Sequence, residues 1–194
     1  MRIPTITLRG PRLTLRPFRL EDASKLYEIQ WVNRDVFAPV MPSRSPDFFT
    51  ETAQLKQIQA DLDRWQSDVG YAFAVEHEGT LVGRVALSNV VRGAWQSATL
   101  GYWIDSRLQS RGLATEAVAG TLKGAFERVK LHRVQAAIMP KNLRSLRVVE
   151  KLRFFYEGFA PRYLHIAGQW EDHQIFSLTV EVFQDPPEWT LLDP

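Results

Sequence analysis

The chain has 194 residues, of which 45% are hydrophobic, and this suits one domain with one sizeable core. It contains no Cys, which excludes disulfides and cysteine-ligated zinc, and we expect no bound metal. A net charge of +2 is too small to indicate a nucleic-acid-binding protein, and no DNA- or RNA-binding signature is present. No segment has the hydropathy of a membrane span or a secretory signal peptide, so we expect a cytoplasmic protein that binds neither membranes nor nucleic acids.

The first third of the chain predicts one strand and two helices. Alternating apolar residues predict the strand over residues 12–18. A helix follows with Asp22 as its N-cap, and a proline-rich loop at 38–46 separates it from a second helix over residues 47–65.

The middle of the chain predicts three strands and an amphipathic helix. Two strands are joined by a glycine-containing turn at residues 78–80, which is typical of a hairpin. A third strand covers 97–104, where β-forming residues are frequent. Apolar residues recur at helical spacing from 113 to 130, and we expect Gly120 and Gly124 on this helix to let a strand pack closely.

The last third predicts a short strand ending at Pro140, a helix with Asn142 as its N-cap, two closing strands and a proline-interrupted tail over residues 185–194. Helices separate the later strands, so part of the sheet is expected to be parallel, while the hairpin makes the rest antiparallel. The predicted fold class is therefore α/β with a mixed sheet.

The loop before the amphipathic helix, QSRGLATEAV at residues 109–118, combines small residues with a glutamine and an arginine. A helix N-terminus presents free backbone N–H groups, and the helix dipole attracts an anion, usually phosphate. Gly112 and Ala114 leave room for a ligand to approach these groups. Neither the G-K-S/T ending of a Walker loop nor the G-x-G-x-x-G of a dinucleotide-binding fold is present. Basic residues cluster at 128–153, which indicates either a solvated helix face or a docking surface for a phosphorylated ligand.

Gln109-x-x-Gly112-x-Ala114 resembles the Q/R-x-x-G-x-G/A motif of the GNAT acetyltransferase superfamily. Its RimJ/RimL-type branch includes N-terminal acetyltransferases that act on ribosomal proteins. Three further segments resemble that branch, namely LTLRPF at 13–18, LGYWI at 100–104 and N-x-x-S-x-R-V-x-E-K-L at 142–152.

The resemblance implies a GNAT fold in a single N-acetyltransferase domain over residues 1–194, with 185–194 as its tail. The implied sheet is mixed and predominantly antiparallel, has six or seven strands, and splays open between its fourth and fifth strands. Helices cover both of its faces.

The resemblance also implies acetyl-coenzyme A as the acetyl donor and coenzyme A as a product. Backbone groups near the end of the fourth strand would bind the pantetheine arm, and the amides of the following loop would bind the pyrophosphate. The implied cofactor-binding residues are Trp103, Ile104, Asp105, Gln109, Ser110, Arg111, Gly112, Leu113, Ala114, Thr115, Asn142, Ser145 and Arg147.

The implied reaction is direct attack of a neutral amine on the acetyl thioester, so the amine must lose a proton and the departing thiolate should gain one. The resemblance assigns the second task to Ser145, which could otherwise only support the first turn of its helix. Many relatives carry a glutamate on the strand before the loop, where this chain has Thr99. The remaining candidates for a base, each of which better suits a structural or exposed position, are Glu157, Glu116, His77, His165 and His173.

A site without a strong base favours an amine that loses its proton easily. An α-amine has a pKa of about 7.7–8.0 and a lysine about 10.4, so the neutral form at neutral pH costs about 0.5 kcal/mol against roughly 4 kcal/mol. We therefore expect the acceptor to be a protein N-terminus, such as that of a ribosomal protein. Two alternatives stay open, a small amine (antibiotic, polyamine or amino acid) and a non-catalytic sensor of acyl-coenzyme A. A monomer and a homodimer are both compatible with the sequence.

Some positions concern the acceptor side or depart from the family. Phe37, Met41 and the proline-rich loop are candidate contacts with the acceptor. Arg153 stands where relatives have a glycine after E-K-L, and the sequence leaves open whether this changes the turn at the end of the Asn142 helix.

Overall fold

The computed structural model describes residues 5–192, which contain nine strands and four α-helices. The strands are β1 (Thr7–Arg9), β2 (Leu13–Pro17), β3 (Tyr71–His77), β4 (Thr80–Val91), β5 (Ser97–Ile104), β6 (Arg133–Ile138), β7 (Phe155–Ile166), β8 (Gln169–Thr179) and β9 (Thr190–Leu192). The helices are α1 (Ala23–Phe37), α2 (Glu51–Gln66), α3 (Leu113–Glu127) and α4 (Leu143–Lys151). The strands form one sheet in the order β7-β8-β6-β5-β4-β3-β2-β1-β9.

The sheet opens between β5 and β6, which are its parallel neighbours in the described part of the chain. These strands pair only between residues 97–99 and residues 133–135. Beyond Thr99, β5 keeps its antiparallel partner β4 as far as Ile104 but has no partner on the β6 side. The predicted mixed sheet and its splay are confirmed. The strand predicted as the fourth is β5, because the unpredicted strand β1 comes first in the chain.

The predicted number of six or seven strands is wrong for residues 5–192. The two additional strands, β1 and β9, have three residues each, too few to show an alternating pattern. They pair with each other antiparallel at the edge of the sheet. The end of the predicted C-terminal tail is therefore a strand, as far as Leu192, and positions 193–194 lie outside the described residues.

Helices cover both faces of the sheet, as expected. On one face, apolar residues of α3 and α4 pack against the strands and form the larger core cluster. On the other face, α1 and most of α2 pack against the strands, including Trp103 of β5, and form the smaller cluster. Within residues 5–192, no helix is both long and apolar enough to cross a membrane.

The helix starts agree in part with the sequence. Asn142 is the N-cap of α4 and its side-chain oxygen accepts a hydrogen bond from the Ser145 amide at 3.2 Å. Asp22 stands at the start of α1, but its carboxylate accepts two hydrogen bonds from the Arg16 guanidinium and does not cap that helix. The second helix begins later than expected, because Thr50 caps it and a short 3-10 turn precedes it.

The turn after α4 keeps the left-handed conformation that glycine would adopt, so Arg153 does not alter it. Arg153 has a left-handed φ of 57°. The amide of Arg153 donates to the Glu150 carbonyl, and the amide of Phe154 donates to the Val149 carbonyl at 2.9 Å. These two hydrogen bonds form a Schellman motif, which offsets the strain of a left-handed arginine.

Trp189 ties the C-terminal segment to the core and is only 2% exposed. Its ring lies between Gly10 and Gly120, where an added Cβ would come within 2.6 Å and 2.8 Å of ring carbons. Gly124 faces Leu8 of β1, as expected for a glycine that lets a strand pack closely. The two helix glycines therefore make room for an indole ring and a strand.

We expect Gly120→Ala to lower the free energy of unfolding by about 1–2 kcal/mol. Overpacking costs about 1–3 kcal/mol, which exceeds the roughly 1 kcal/mol that alanine gains in helix propensity. Urea unfolding measures the change. Gly101→Ala is the matched control, since its Cβ would meet nothing within 4 Å. A Gly120→Ala protein as stable as the parent would contradict the wedged position of Trp189.

Candidate active site

The gap between β5 and β6 leads into a cavity of about 560 Å³, here called the cofactor cleft. Its walls come from the end of β5, the loop before α3, the first turns of α4 and the end of α1. The predicted site residues that line it are Trp103, Ile104, Gln109, Ser110, Gly112, Leu113, Ala114, Thr115, Asn142, Ser145 and Arg147. Asp105 and Arg111 do not line it.

The loop before α3 presents backbone donors to the cleft. Ser110 and Gly112 both have left-handed φ angles, of 62° and 81°, which turn the chain sharply into the helix. Within residues 5–192, the amides of residues 110–115 donate no hydrogen bond to the protein. A row of free N–H donors at a helix N-terminus can bind an anion, and the positive end of the helix dipole favours phosphate.

Arg12 and Glu116 hold this loop from outside. The Glu116 carboxylate accepts hydrogen bonds from the Arg12 amide at 2.9 Å and from its Nε at 2.7 Å. The Arg12 Nη1 donates to the Arg111 carbonyl at 2.9 Å. Arg111 therefore contributes a clamped carbonyl behind the loop, and the clamp fixes the backbone while leaving the amides free.

Asp105 anchors the start of the same loop to α1. Its carboxylate accepts hydrogen bonds from Arg107 and from the Asn33 side chain, and Asn33 in turn accepts from the Ser106 amide at 2.8 Å. Burial would raise the pKa of Asp105, but the bonds from Arg107 outweigh it and lower that pKa. Sequence reasoning missed Asn33, whose only signal is a polar residue on the buried side of a helix.

Basic side chains of α4 and of the turn before it contribute to the walls of the cleft. Lys141, Arg144, Arg147 and Lys151 line it, so part of the basic cluster at 128–153 does form a positive wall. The Arg144 guanidinium donates to the Gln109 side-chain oxygen, and the Gln109 nitrogen donates to the Ile104 carbonyl at 3.4 Å. Gln109 thereby bridges α4 to the end of β5.

Two hydroxyl-bearing side chains, Tyr102 of β5 and Ser145 of α4, line the cleft beside the opened part of the sheet. The Ser145 side chain interacts with the Tyr102 hydroxyl. The Tyr102 hydroxyl donates to the Ser145 carbonyl at 3.3 Å, and burial raises the pKa of Tyr102 to about 12. Tyr102 is thus protonated at neutral pH and holds α4 to β5. Sequence reasoning missed it, although its place in LGYWI, one residue from Trp103, puts it on the α4 side of β5.

None of the five candidate bases lines the cofactor cleft. The Glu116 carboxylate binds Arg12, and hydrogen bonds from Arg133 lower the pKa of Glu157, so both carboxylates are occupied. The three histidines lie elsewhere, with contacts to backbone or to aromatic rings, and they are His77, His165 and His173. Thr99 stands in the paired part of β5, opposite Gln135.

A second cavity of about 480 Å³, here called the acceptor cavity, lies on the α1–α2 side of the sheet. It shares four wall residues with the cofactor cleft, so the two spaces meet at the opened strand. The shared residues are Phe37, Met41, Tyr102 and Trp103. This cavity is lined by the residues that the sequence indicates as candidate contacts with the acceptor, namely Phe37, Met41 and the proline-rich loop. Within residues 5–192, no three acidic or histidine side chains converge as they would to hold a metal ion.

This arrangement, a parted sheet whose unpaired edge faces a loop of free amides, suits a long thioester cofactor with a pyrophosphate. Residues 12–154 match the acetyltransferase (GNAT) domain family. The probable N-acetyltransferase YjcK of Bacillus subtilis (strain 168) is 38% identical over 88% of this chain and 96% of its own length. The ribosomal protein uS5-alanine N-acetyltransferase of Escherichia coli (strain K12) is 31% identical over 97% of this chain and 95% of its own.

A solved structure agrees with these relatives. Mycobacterium smegmatis RimJ in complex with CoA-disulfide is 30% identical and superimposes with a TM-score of 0.88, covering 94% of this chain and 91% of that one. The family match covers well over half of the chain. The chain therefore belongs to the GNAT family, as an N-acetyltransferase of the RimJ/RimL type.

Proposed function

We propose that this enzyme transfers the acetyl group of acetyl-coenzyme A to the N-terminal α-amine of a protein in the cytoplasm, such as a ribosomal protein. The E. coli relative is named for the alanine of ribosomal protein uS5, and the M. smegmatis RimJ structure contains coenzyme A. The observation that carries the proposal is the row of free amides at 110–115 beside an unpaired strand edge.

The residues of the cofactor cleft fit coenzyme A part by part. The free amides at 110–115 would donate hydrogen bonds to the pyrophosphate, and Arg144, Arg147 and Lys151 add positive charge to the same cleft. The unpaired edge of β5, residues 100–104, offers backbone donors and acceptors to the amide groups of pantetheine. This edge would bind the pantetheine as a sheet binds an added strand.

The chain's own groups supply the proton that the thiolate leaving group needs. Ser145 lines the cleft beside the Tyr102 hydroxyl, and Tyr102 stays protonated because of its raised pKa. We assign the donor role to Ser145, with Tyr102 holding its backbone in place. Bound acetyl-coenzyme A supplies the activated acetyl carbon.

The lack of a base in the cleft favours an α-amine acceptor. In the acceptor cavity the carboxylate on the wall is Asp35, whose side chain is 84% exposed and paired with Arg34. An α-amine is already largely neutral near its pKa of about 7.7–8.0, so water can take its proton.

Release of free thiol from acetyl-coenzyme A tests this function. We expect turnover with peptides that have a free N-terminal alanine or serine, and little with the same peptides blocked at the N-terminus but carrying a lysine. For the N-terminal peptides, kcat/KM should rise with pH and level off at about pH 8, as the α-amine loses its proton.

Other results of that assay would contradict the proposal. Turnover with polyamines or free amino acids alone would point to a small-molecule enzyme. Tight binding of acetyl-coenzyme A without turnover of any amine would point to a sensor. A kcat/KM that climbs to about pH 10 would indicate a lysine side chain.

Ser145→Ala should lower kcat by about a hundredfold, because general acid catalysis contributes at least that much. The Kd for coenzyme A, measured by calorimetry, should stay near the parent value. Tyr102→Phe is the comparison variant and should lower kcat less. If Tyr102→Phe lost more activity than Ser145→Ala, the proton donor would be Tyr102.

Arg12→Ala should raise the Kd for coenzyme A by about tenfold, since the loop would have to be ordered on binding. Amide hydrogen exchange over residues 110–116 should become faster in the same variant. Arg9→Ala removes an exposed arginine of the neighbouring strand and serves as the charge control. Equal coenzyme A affinity in the two variants would show that the clamp plays no part in binding.

A further inference from the structure

The acceptor cavity carries more positive than negative charge. Its ionisable wall residues are Arg34, Arg44 and Arg84 against Asp35. Asp35 pairs with Arg34 at 3.5 Å, which leaves Arg44 and Arg84 to be accounted for.

Arg84 shares its acidic partner with another arginine. Its guanidinium donates to both oxygens of Asp61, at 2.9 Å and 3.0 Å, and Arg64 donates to the same carboxylate at 2.9 Å. Asp61 is only 5% exposed, so it is fixed in this position. One buried carboxylate thus pairs with two guanidinium groups, so the three side chains together carry a net charge of about +1.

Arg44 has no acidic partner. Within residues 5–192, its guanidinium makes no hydrogen bond or ion pair, and it lies over the Phe48 ring at 4.6 Å. Burial against the loop lowers the pKa of Arg44, and the charge of Arg84 lowers it further. Two guanidinium groups that repel each other on one wall would be stabilised by an anion between them.

This site adjoins the place of chemistry. The acceptor cavity shares Tyr102 and Trp103 with the cofactor cleft, so an amine at the opened strand has the rest of its molecule in the cavity. A volume of about 480 Å³ holds only a few residues of a peptide. An anion bound there would therefore lie close to the N-terminus along the acceptor chain.

Given the proposed function, we infer that Arg44 and Arg84 bind the carboxylate of an aspartate or glutamate within the first few residues of the acceptor protein. The pair is then a specificity determinant, which distinguishes acidic N-terminal sequences from neutral or basic ones. Arginine suits this role because its planar fork matches a carboxylate.

Matched peptides test this inference. A set with one N-terminal residue carries aspartate at position two, three or four, and a second set has asparagine at the same place. We expect the kcat/KM of at least one aspartate peptide to exceed that of its asparagine partner by about tenfold, as a hydrogen bond to a charged group predicts.

Variants of Arg44 identify the residue responsible. In Arg44→Gln the ratio of kcat/KM between the aspartate and asparagine peptides should fall close to one, and in Arg44→Glu a lysine peptide should overtake the aspartate peptide. Arg19→Gln removes the same charge from an exposed site paired with Glu21 and should keep the parent ratio. Arg84 is left unchanged, because its loss would remove one of the two guanidinium partners of the buried Asp61.

The outcomes separate this inference from the proposed function. Acetylation of both peptide sets at equal rates, or an unchanged ratio in Arg44→Gln, would overturn the inference and leave the N-terminal acetyltransferase in place. Acetylation of no peptide would overturn the proposed function. Acetylation of free aspartate but not of peptides would overturn both, since the carboxylate recognised would belong to a small amine.

Discussion

The site depends on one constraint, the parting of β5 from β6 after three residue pairs. A strand inside a sheet normally satisfies its backbone groups on both sides, and here residues 100–104 do so only against β4. An exposed edge of this kind requires an extended partner with its own amide groups. The same opening joins two cavities on opposite faces of the sheet, so a donor and an acceptor can meet without either passing through the core.

The rest of the structure holds that opening at a fixed width. The Tyr102 hydroxyl reaches the Ser145 carbonyl and links β5 to α4. Asn33 fixes the end of β5 to α1 through Asp105 and the Ser106 amide. These contacts come from three different helices or loops, so the free amides and the Ser145 side chain are placed before any ligand binds. Preorganisation of this kind lowers the entropic cost of binding.

The sequence predicts the fold well because periodicity and turn residues are local signals. The hairpin turn at 78–80, the Asn142 cap and the small-residue loop before α3 all follow from neighbouring residues. The strands β1 and β9 could not be predicted, because their three residues carry no pattern and their pairing joins the two ends of the described chain. The Arg153 turn could not be decided from the sequence either, because the Schellman hydrogen bonds and not the residue type set its conformation.

The sequence indicated the residues of the loop before α3, whose backbone amides line the cleft. It did not indicate residues whose side chains meet from distant positions in the chain. Gly112 marks a loop by its own conformational freedom, whereas Asn33 and Tyr102 acquire their roles from residues about 40 to 70 positions away. Arg44 is a further case, since it reaches the same cavity as Arg84 through the packing of a proline-rich loop. Pairwise contacts across the sheet leave no periodic trace in the sequence.

The positive acceptor cavity also bears on the missing base. Unneutralised guanidinium charge on the wall of this cavity disfavours a bound ammonium, so it would lower the pKa of an amine held there. An α-amine needs only a small shift to be neutral, whereas a lysine needs roughly 4 kcal/mol. One carboxylate on the acceptor would neutralise one of the two unneutralised guanidinium charges, and the other would still disfavour an ammonium at the opened strand. Charge on the cavity wall can thus select the acceptor and favour its reactive form without a glutamate at position 99.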